Sequence, residues 1–175
     1  MKYLTRRKFV EQVTALKSIN PDHWGNEARM PGQPVALERW SYHQKTIEIL
    51  KSLDPANVLE AGTMGIQVAE ESDTIDLDMP EWGWRLTYSP TYNHDLRLIT
   101  WPIKTKSYEV FVALRVFHHL DNEAACLTEM ERIAHHIILA QPEDSARRYE
   151  AIRQPDHRYH FDDTDTTILV YHNHD

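Results

Sequence analysis

At 175 residues, 41% of them hydrophobic, the chain can bury one core of ordinary domain size and not two, and its 26% charged and 10% aromatic residues are those of a folding domain rather than a disordered one. The 27 acidic residues outnumber the 19 basic ones for a formal charge of -8, so the average field repels phosphate backbones and anionic membranes and disfavours nucleic acid and membrane partners. The single cysteine, Cys126, excludes an intramolecular disulfide or a thiolate zinc cluster; with no apolar stretch of signal-peptide or membrane-spanning length at the amino terminus, a cytoplasmic setting is expected.

The first segment is helical in pattern, with Leu4, Val10, Val13 and Leu16 recurring at helical steps until Asn20-Pro21 stops the run. The basic run Arg6-Arg7-Lys8 reads as a solvated helix face. Residues 20 to 34 are rich in proline and glycine and read as loop or lid. From Val35 to Leu53 the residues Trp40, Ile47, Leu50 and Leu53 form one helical stripe that Asp54-Pro55 ends.

Asn57 to Gly62 is apolar, too short for a helix and closed by glycine, which predicts a buried strand running into a turn. Thr74 to Leu77 and Glu109 to Leu114 are further candidate strands, with a weak one somewhere in the segment from Pro80 to Lys106. Asp121 is a plausible N-cap for a helix over Asn122 to Ala134, where Leu127, Met130 and Ile133 keep helical spacing and Cys126 reads as a buried, inert thiol. Ile137 to Ala140 is another buried strand, and Thr167 to Tyr171 a last short one in a polar tail. Short apolar strands alternating with helices predict an α/β fold, a parallel sheet covered on both faces in a single domain. Residues 1–34 form its helix and loop, 35–142 its core and 143–175 an extension.

Ligands of an open parallel sheet bind beyond the carboxyl ends of the strands, so the residues closing each strand carry the functional reading. Gly62 either allows close approach of a ligand to the backbone or merely serves a turn. Asp76 or Asp78 can accept both hydrogen bonds of a ribose diol, or can cap the next segment. His118 and His119 end the Glu109 to Leu114 region with side chains whose ordinary pKa suits a general base, although one can equally pack under a ligand and the other cap a helix. The pairs His157/His160 and His172/His174, with Asp156, Asp162 and Asp163 nearby, raise a metal reading, but without a defined third or fourth ligand no functional metal is expected. Trp40, Trp82, Trp84 and Trp101 are candidates for an acceptor pocket, with core packing the simpler reading for Trp40.

Val58-Leu59-Glu60-Ala61-Gly62-Thr63-Met64-Gly65 resembles the first motif of the class I S-adenosylmethionine-dependent methyltransferases, and Tyr108 to Leu120 resembles their fourth-strand motif. Glu129 to Ile133 is similar to the helix that follows it, Ile137 to Pro142 to the fifth strand, and Asn93 to Leu96 with Trp101-Pro102-Ile103 to the adenine-holding segment. The resemblance covers roughly residues 35 to 142. It implies a Rossmann-like methyltransferase sheet with S-adenosylmethionine as cofactor: Glu60, Gly62 and Gly65 at the methionine end, Asp76 at the ribose, Asp95 at the adenine amino group, Leu96 supplying backbone contacts, and Leu114 beside the cofactor.

Three departures stand out. Met64 replaces the usual second glycine, and Gly65 lies one place off the spacing of the third. Only 15 residues separate Glu60 from Asp76, leaving room for about two helical turns between Gly65 and Ser72 in place of the usual crossover helix. The 33 residues after Pro142 offer at most part of the hairpin that closes the family's sheet. The expected function is methyl transfer to a small-molecule or saccharide acceptor, with a non-catalytic binding or scaffold module as the alternative. A nicotinamide-dependent dehydrogenase is disfavoured because its three-glycine fingerprint is missing.

Overall fold

The computed structural model describes residues 1–25, 27, 34–82 and 84–173. Residues 26 and 28–33 of the anticipated lid, together with His174 and the side chain of Trp82, lie outside the described residues. The chain runs through α1 (Arg6–Leu16), α2 (Pro21–Trp24), a 3-10 turn (Ala36–Arg39), α3 (Trp40–Leu53), β1 (Val58–Ala61), β2 (Asp73–Asp76), β3 (Tyr92–Asn93), β4 (Tyr108–Leu114), α4 (Glu123–Ile133), β5 (Ala134–Pro142), α5 (Glu143–Ile152), β6 (His157–Phe161) and β7 (Thr166–His172). The strands form one sheet in the order β3-β2-β1-β4-β5-β7-β6. The first five are mutually parallel, and β7 lies antiparallel between β5 and β6.

The central strands are apolar on both faces because helices cover both. Along β4, Val110 and Val112 point to one side and Phe111 and Ala113 to the other, the period of two that pleating imposes. Phe111, Ile137, Leu139 and Leu169 pack with Leu127, Met130 and Ile133 of α4 and Ala146 and Tyr149 of α5. Val110, Val112, Ile138 and Ile168 pack with Phe9 and Val13 of α1 and Ile47 and Leu50 of α3. Within α3 the buried face also takes in Tyr42, His43 and Thr46, wider than the predicted stripe, while Trp40 is only half-buried. Asp54 caps α3 in the left-handed conformation, its N–H returning to the Leu50 carbonyl. The cap of α4 is Asn122 rather than Asp121, its side chain accepting from the Ala125 N–H. Cys126 is buried as expected, and burial pushes its thiol up to about 12.

The β1–β2 crossover contains no helix: the chain passes from Gly62 to Ser72 as turns and extended backbone. Its place on the sheet is taken by the amino-terminal segment. The Leu4 N–H donates to the Val68 carbonyl (2.9 Å), the Glu70 N–H to the Lys2 carbonyl (3.0 Å), and Lys8 pairs with Glu70. A helix supplied from elsewhere in the sequence buries the face that the short crossover cannot.

The carboxyl-terminal end corrects the expectation of a partial closure. Both strands of an antiparallel hairpin are present, β7 pairing with seven residues of β5 from His136↔His172 to Pro142↔Thr166. The polar appearance of β6 follows from its edge position, with His157, Arg158 and His160 exposed. Helix α5, also unforeseen, buries Ser145, Ala146 and Tyr149 on one side.

Candidate functional site

Beyond the carboxyl ends of β1, β2 and β4 lies an open cleft of about 240 Å³. Asp76 closes β2 on its wall, Leu96 and Asp95 come from the loop after β3, and Met64, Trp84 and His119 complete the rim. The sequence-predicted Asp76, Asp95, Leu96 and His119 are thus brought together. Glu60, Gly62 and Leu114 line a smaller adjoining cavity, and the two cavities share His23 as a common wall. Gly65 and His118 line neither.

Asp76 is buried, and burial lifts its carboxyl to about 6 in spite of the hydrogen bonds it receives. Its Oδ2 accepts from the Thr63 N–H (3.0 Å) and from the Tyr88 hydroxyl, which ties the turn after β1 to the end of β2. Trp84 Nε1 is buried beside this carboxylate and helps to hold its charge, although no hydrogen bond of full geometry joins the two. An acid and an indole N–H that meet in a cleft walled by Leu77, Met79, Val116 and Leu120 fit a ligand with an apolar planar part and a polar hydroxylated part.

Glu60 does not face the cleft with its oxygens. They accept from the Val68 and Ala69 N–H groups (2.9 Å each) and from Ser72 Oγ (2.7 Å), so this carboxyl holds the helixless crossover in shape. Its burial outweighs those bonds and raises it to about 7. Gly62 has φ +61°, and a Cβ there would meet a Val116 methyl at 2.2 Å, so the close approach it permits is to Val116. Gly65, at φ +89°, faces Leu16 and Thr87 instead. Met64 holds φ +50° and is buried, its carbonyl accepting from Trp24 Nε1 at 3.1 Å. The methionine that breaks the glycine pattern therefore fills the turn with side chain where the family pattern leaves space.

Asp95 is gripped by Arg97, whose Nε and Nη2 reach both carboxylate oxygens (2.6–3.0 Å), and the pairing holds its carboxyl below the usual range. Asp78 accepts from the Leu86 N–H and serves a turn. The two histidines after β4 lie in a 3-10 turn, Phe117–His119, with ring centroids 3.8 Å apart and planes tilted by 41°. Burial pushes His118 down to about 3, with the charges of His119 and Arg115 adding to it, and its Nδ1 has no partner. His119 is exposed on the cleft wall and is lowered by partial burial and by Arg115.

Trp101 belongs to the core, stacked on Phe111 with its N–H on the Leu96 carbonyl, and is not an acceptor wall. Trp84 is on the cleft. Among the described residues no group of three or more His, Cys, Asp or Glu side chains is placed to hold a metal; His172 meets His136 at 2.8 Å across β5 and β7 instead. No helix among the described residues is long and apolar enough to cross a membrane. Sequence reasoning missed His23, Tyr88 and Arg39. His23 lay in a segment read as loop, Tyr88 in one without periodicity, and a lone arginine at a helix start carries no signal.

No family model matches the chain, and no curated protein does. Solved structures do. A candidate S-adenosyl-L-methionine-dependent methyltransferase of Methanococcus maripaludis superposes with TM-score 0.55 at 8% identity, covering 100% of this chain and 96% of that one. A protein of Thermoplasma acidophilum gives 0.53 at 15% identity over 99% of both chains. A 16S rRNA methylase gives 0.50 at 11% identity, covering 98% of this chain and 76% of its own. At such identities the likeness speaks for the fold. The single α/β domain, with its mixed seven-stranded sheet, therefore has the fold of the class I S-adenosylmethionine-dependent methyltransferases.

Proposed function

We propose that the cleft binds S-adenosylmethionine and that the protein transfers its methyl group to a small-molecule or saccharide acceptor. The observation that carries this reading is the convergence of Asp76, Leu96 and Trp84 on one cleft at the carboxyl edge of the sheet, where ligands of this fold class bind. When bound, the cofactor supplies an electrophilic methyl on a sulfonium. This chain's own residues have the rest to do. Asp76, once ionised, accepts from the ribose diol in exchange for the Tyr88 hydroxyl, and the apolar walls around Leu96 exclude water from the adenine face. Asp95 reaches the adenine amino group only by sharing its oxygens with Arg97. His119, facing the cleft, is better placed than His118 to accept an acceptor's proton, since a base held at about 3 takes up a proton poorly at neutral pH.

A second reading, a non-catalytic binding or scaffold module, is favoured by Met64 filling the turn after β1 and by Val116 occupying the space beside Gly62. Calorimetric titration of the protein with S-adenosylhomocysteine separates the two. Micromolar binding supports the methyltransferase; no heat at millimolar ligand supports the scaffold. The charge of -8 favours a small acceptor over a nucleic acid, and the one buried, unpaired thiol fits a reducing, cytoplasmic setting.

A further inference from the structure

The junction of α1 and α2 reaches across the molecule to the wall of the cleft. Asn20, at 0% exposure, stands at the N-cap of α2, where an asparagine side chain ordinarily accepts from the first turn of its own helix; here it makes no such bond. Its amide turns instead to a residue 65 positions away: Nδ2 donates to the Arg85 carbonyl at 2.9 Å, and Oδ1 accepts from the Arg85 N–H at 3.0 Å. A carboxamide that takes both polar groups of one residue pairs with it as a neighbouring strand would, and fixes the backbone there whatever the side chain. The peptide held in this way is the one that carries Trp84. Its N–H, that of Arg85, is bonded to Asn20, and its carbonyl, that of Trp84, accepts from the Met79 N–H at 2.8 Å, while the Trp84 N–H returns to the Met79 carbonyl at 3.1 Å. One residue further on, the Leu86 N–H donates to Asp78 Oδ1 at 2.8 Å. The segment after β2 is thus folded back on itself, and Asn20 fastens it to α2. Asn20 is a firm anchor, since its own N–H donates to the Leu16 carbonyl and its carbonyl accepts from the Trp24 N–H.

Met79 and Trp84 stand on the cleft with Asp76, and the Trp84 indole lies beside the Asp76 carboxyl. We propose that Asn20 is a positioning residue for the cofactor cleft: through the Arg85 backbone it holds the Trp84 indole against Asp76 and presets the wall on which the nucleoside of S-adenosylmethionine lies. This rests on the methyltransferase reading of the cleft. A loop left to sample many arrangements would have to be ordered when the ligand binds, at the expense of affinity; the Asn20 clamp orders it beforehand. The side chain gives up its own helix cap to do so, which a residue serving α2 alone would not do. His23, from the same helix, adds a second contact, its ring centroid 6.4 Å from that of Trp84. The role differs from that of Tyr88, whose hydroxyl sits on Asp76 Oδ2. Asn20 supports the face that the ligand gains, whereas Tyr88 occupies an oxygen that the ligand needs.

The test uses the full chain with the substitutions Asn20→Ala, Asn20→Ser and Arg85→Ala, and S-adenosylhomocysteine as the probe. Affinity is read by calorimetry, stability by urea unfolding, and the Asp76 carboxyl titration by NMR in the ligand-free protein. Asp76 is faced by the Thr63 and Leu77 N–H groups, the Tyr88 hydroxyl and the Trp84 indole, with Glu60 acting on Tyr88 from β1, and burial holds it at about 6. Asn20→Ala should bind the probe about tenfold more weakly, because the wall is no longer preset. Its Asp76 midpoint should fall from about 6 toward the ordinary carboxylate range, since burial is the largest influence on that group and is relaxed when Trp84 moves away. Asn20→Ser keeps a side chain able to cap α2 but too short to take both groups of Arg85; it should regain stability without regaining affinity, and it serves if Asn20→Ala does not fold. Arg85→Ala leaves the backbone in place and should bind as the parent does. The inference is overturned if the Asn20 variants lose stability alone, with affinity and the Asp76 midpoint as in the parent, or if Arg85→Ala loses as much affinity as Asn20→Ala. Failure of the parent itself to bind S-adenosylhomocysteine sinks the methyltransferase reading instead, and the Asp76 midpoint of the ligand-free variants then still decides whether Asn20 positions Trp84.

Discussion

Asp76 receives the Thr63 N–H and the Tyr88 hydroxyl on the same oxygen, Oδ2, so a ribose diol that engages both carboxylate oxygens competes with them there. Asp76→Asn should lower the affinity for S-adenosylhomocysteine by about ten- to a hundredfold, the loss of a charge-assisted pair worth about 1.5–3 kcal/mol, read by calorimetry. Tyr88→Phe removes the competitor and should leave affinity equal or higher; a loss there would place Tyr88 on the ligand itself. Because burial holds the Asp76 carboxyl at about 6, affinity should also decline as pH falls through that value and the acceptor is protonated. At Gly62 the constraint is steric as well as conformational. Gly62→Ala should destabilise by about 1–3 kcal/mol, since a methyl there overlaps Val116, and Val116→Ala in the same chain should return part of the loss. Equal and additive costs in urea melts would show that the positive φ alone is responsible.

Among the elements, α1 has the least expected role. It lies far in sequence from the β1–β2 crossover, yet the segment leading into it is bonded to that crossover through the Leu4 and Lys2 backbone, and its own Phe9 is fully buried against Trp24, Trp40 and His43. Phe9→Ala should cost about 3–5 kcal/mol of stability in denaturant titration, as for any large core truncation. Because Trp24 in turn donates to the Met64 carbonyl, the same variant should loosen the turn after β1, seen as faster amide exchange at Gly65 and Ile66. Protection unchanged at those amides would uncouple α1 from the site.

For the molecule as a whole, the buried ionisable groups pull stability in opposite directions with pH. Glu60 and Asp76 are raised, to about 7 and about 6, so their contribution is complete below their unfolded values near 4 and is lost as pH rises through 6 to 7. His23, His43 and His118 are lowered, the last two to about 4 and about 3; their contribution is complete above 6.5 and is lost as pH falls toward those values. Glu143, held at about 2 by Thr167, Arg147 and Arg158, loses its share below 4.5 in the same sense. Three histidines and the paired carboxyls outweigh two raised acids, so melting temperature should fall as pH is taken from 7 to 4. A maximum near pH 4 would mean that the acids dominate.

The sequence by itself determined the sheet's central strands, α3, α4 and the acid that closes β2, because buried parallel strands leave short apolar runs and helices leave stripes, both local in origin. It also marked Met64 and the shortened crossover as departures. What it did not carry was the packing of distant segments. The edge strand β6 is polar because one side faces water, so its composition matches that of a loop, and only its pairing with β7 makes it a strand. The use of Glu60 as the brace of the crossover, the bonding of that crossover to the segment leading into α1 and the pairing of Asn20 with Arg85 each join residues whose partners lie in other elements. Tertiary structure decided these, since burial and charge compensation are properties of the folded neighbourhood and leave no period in the chain.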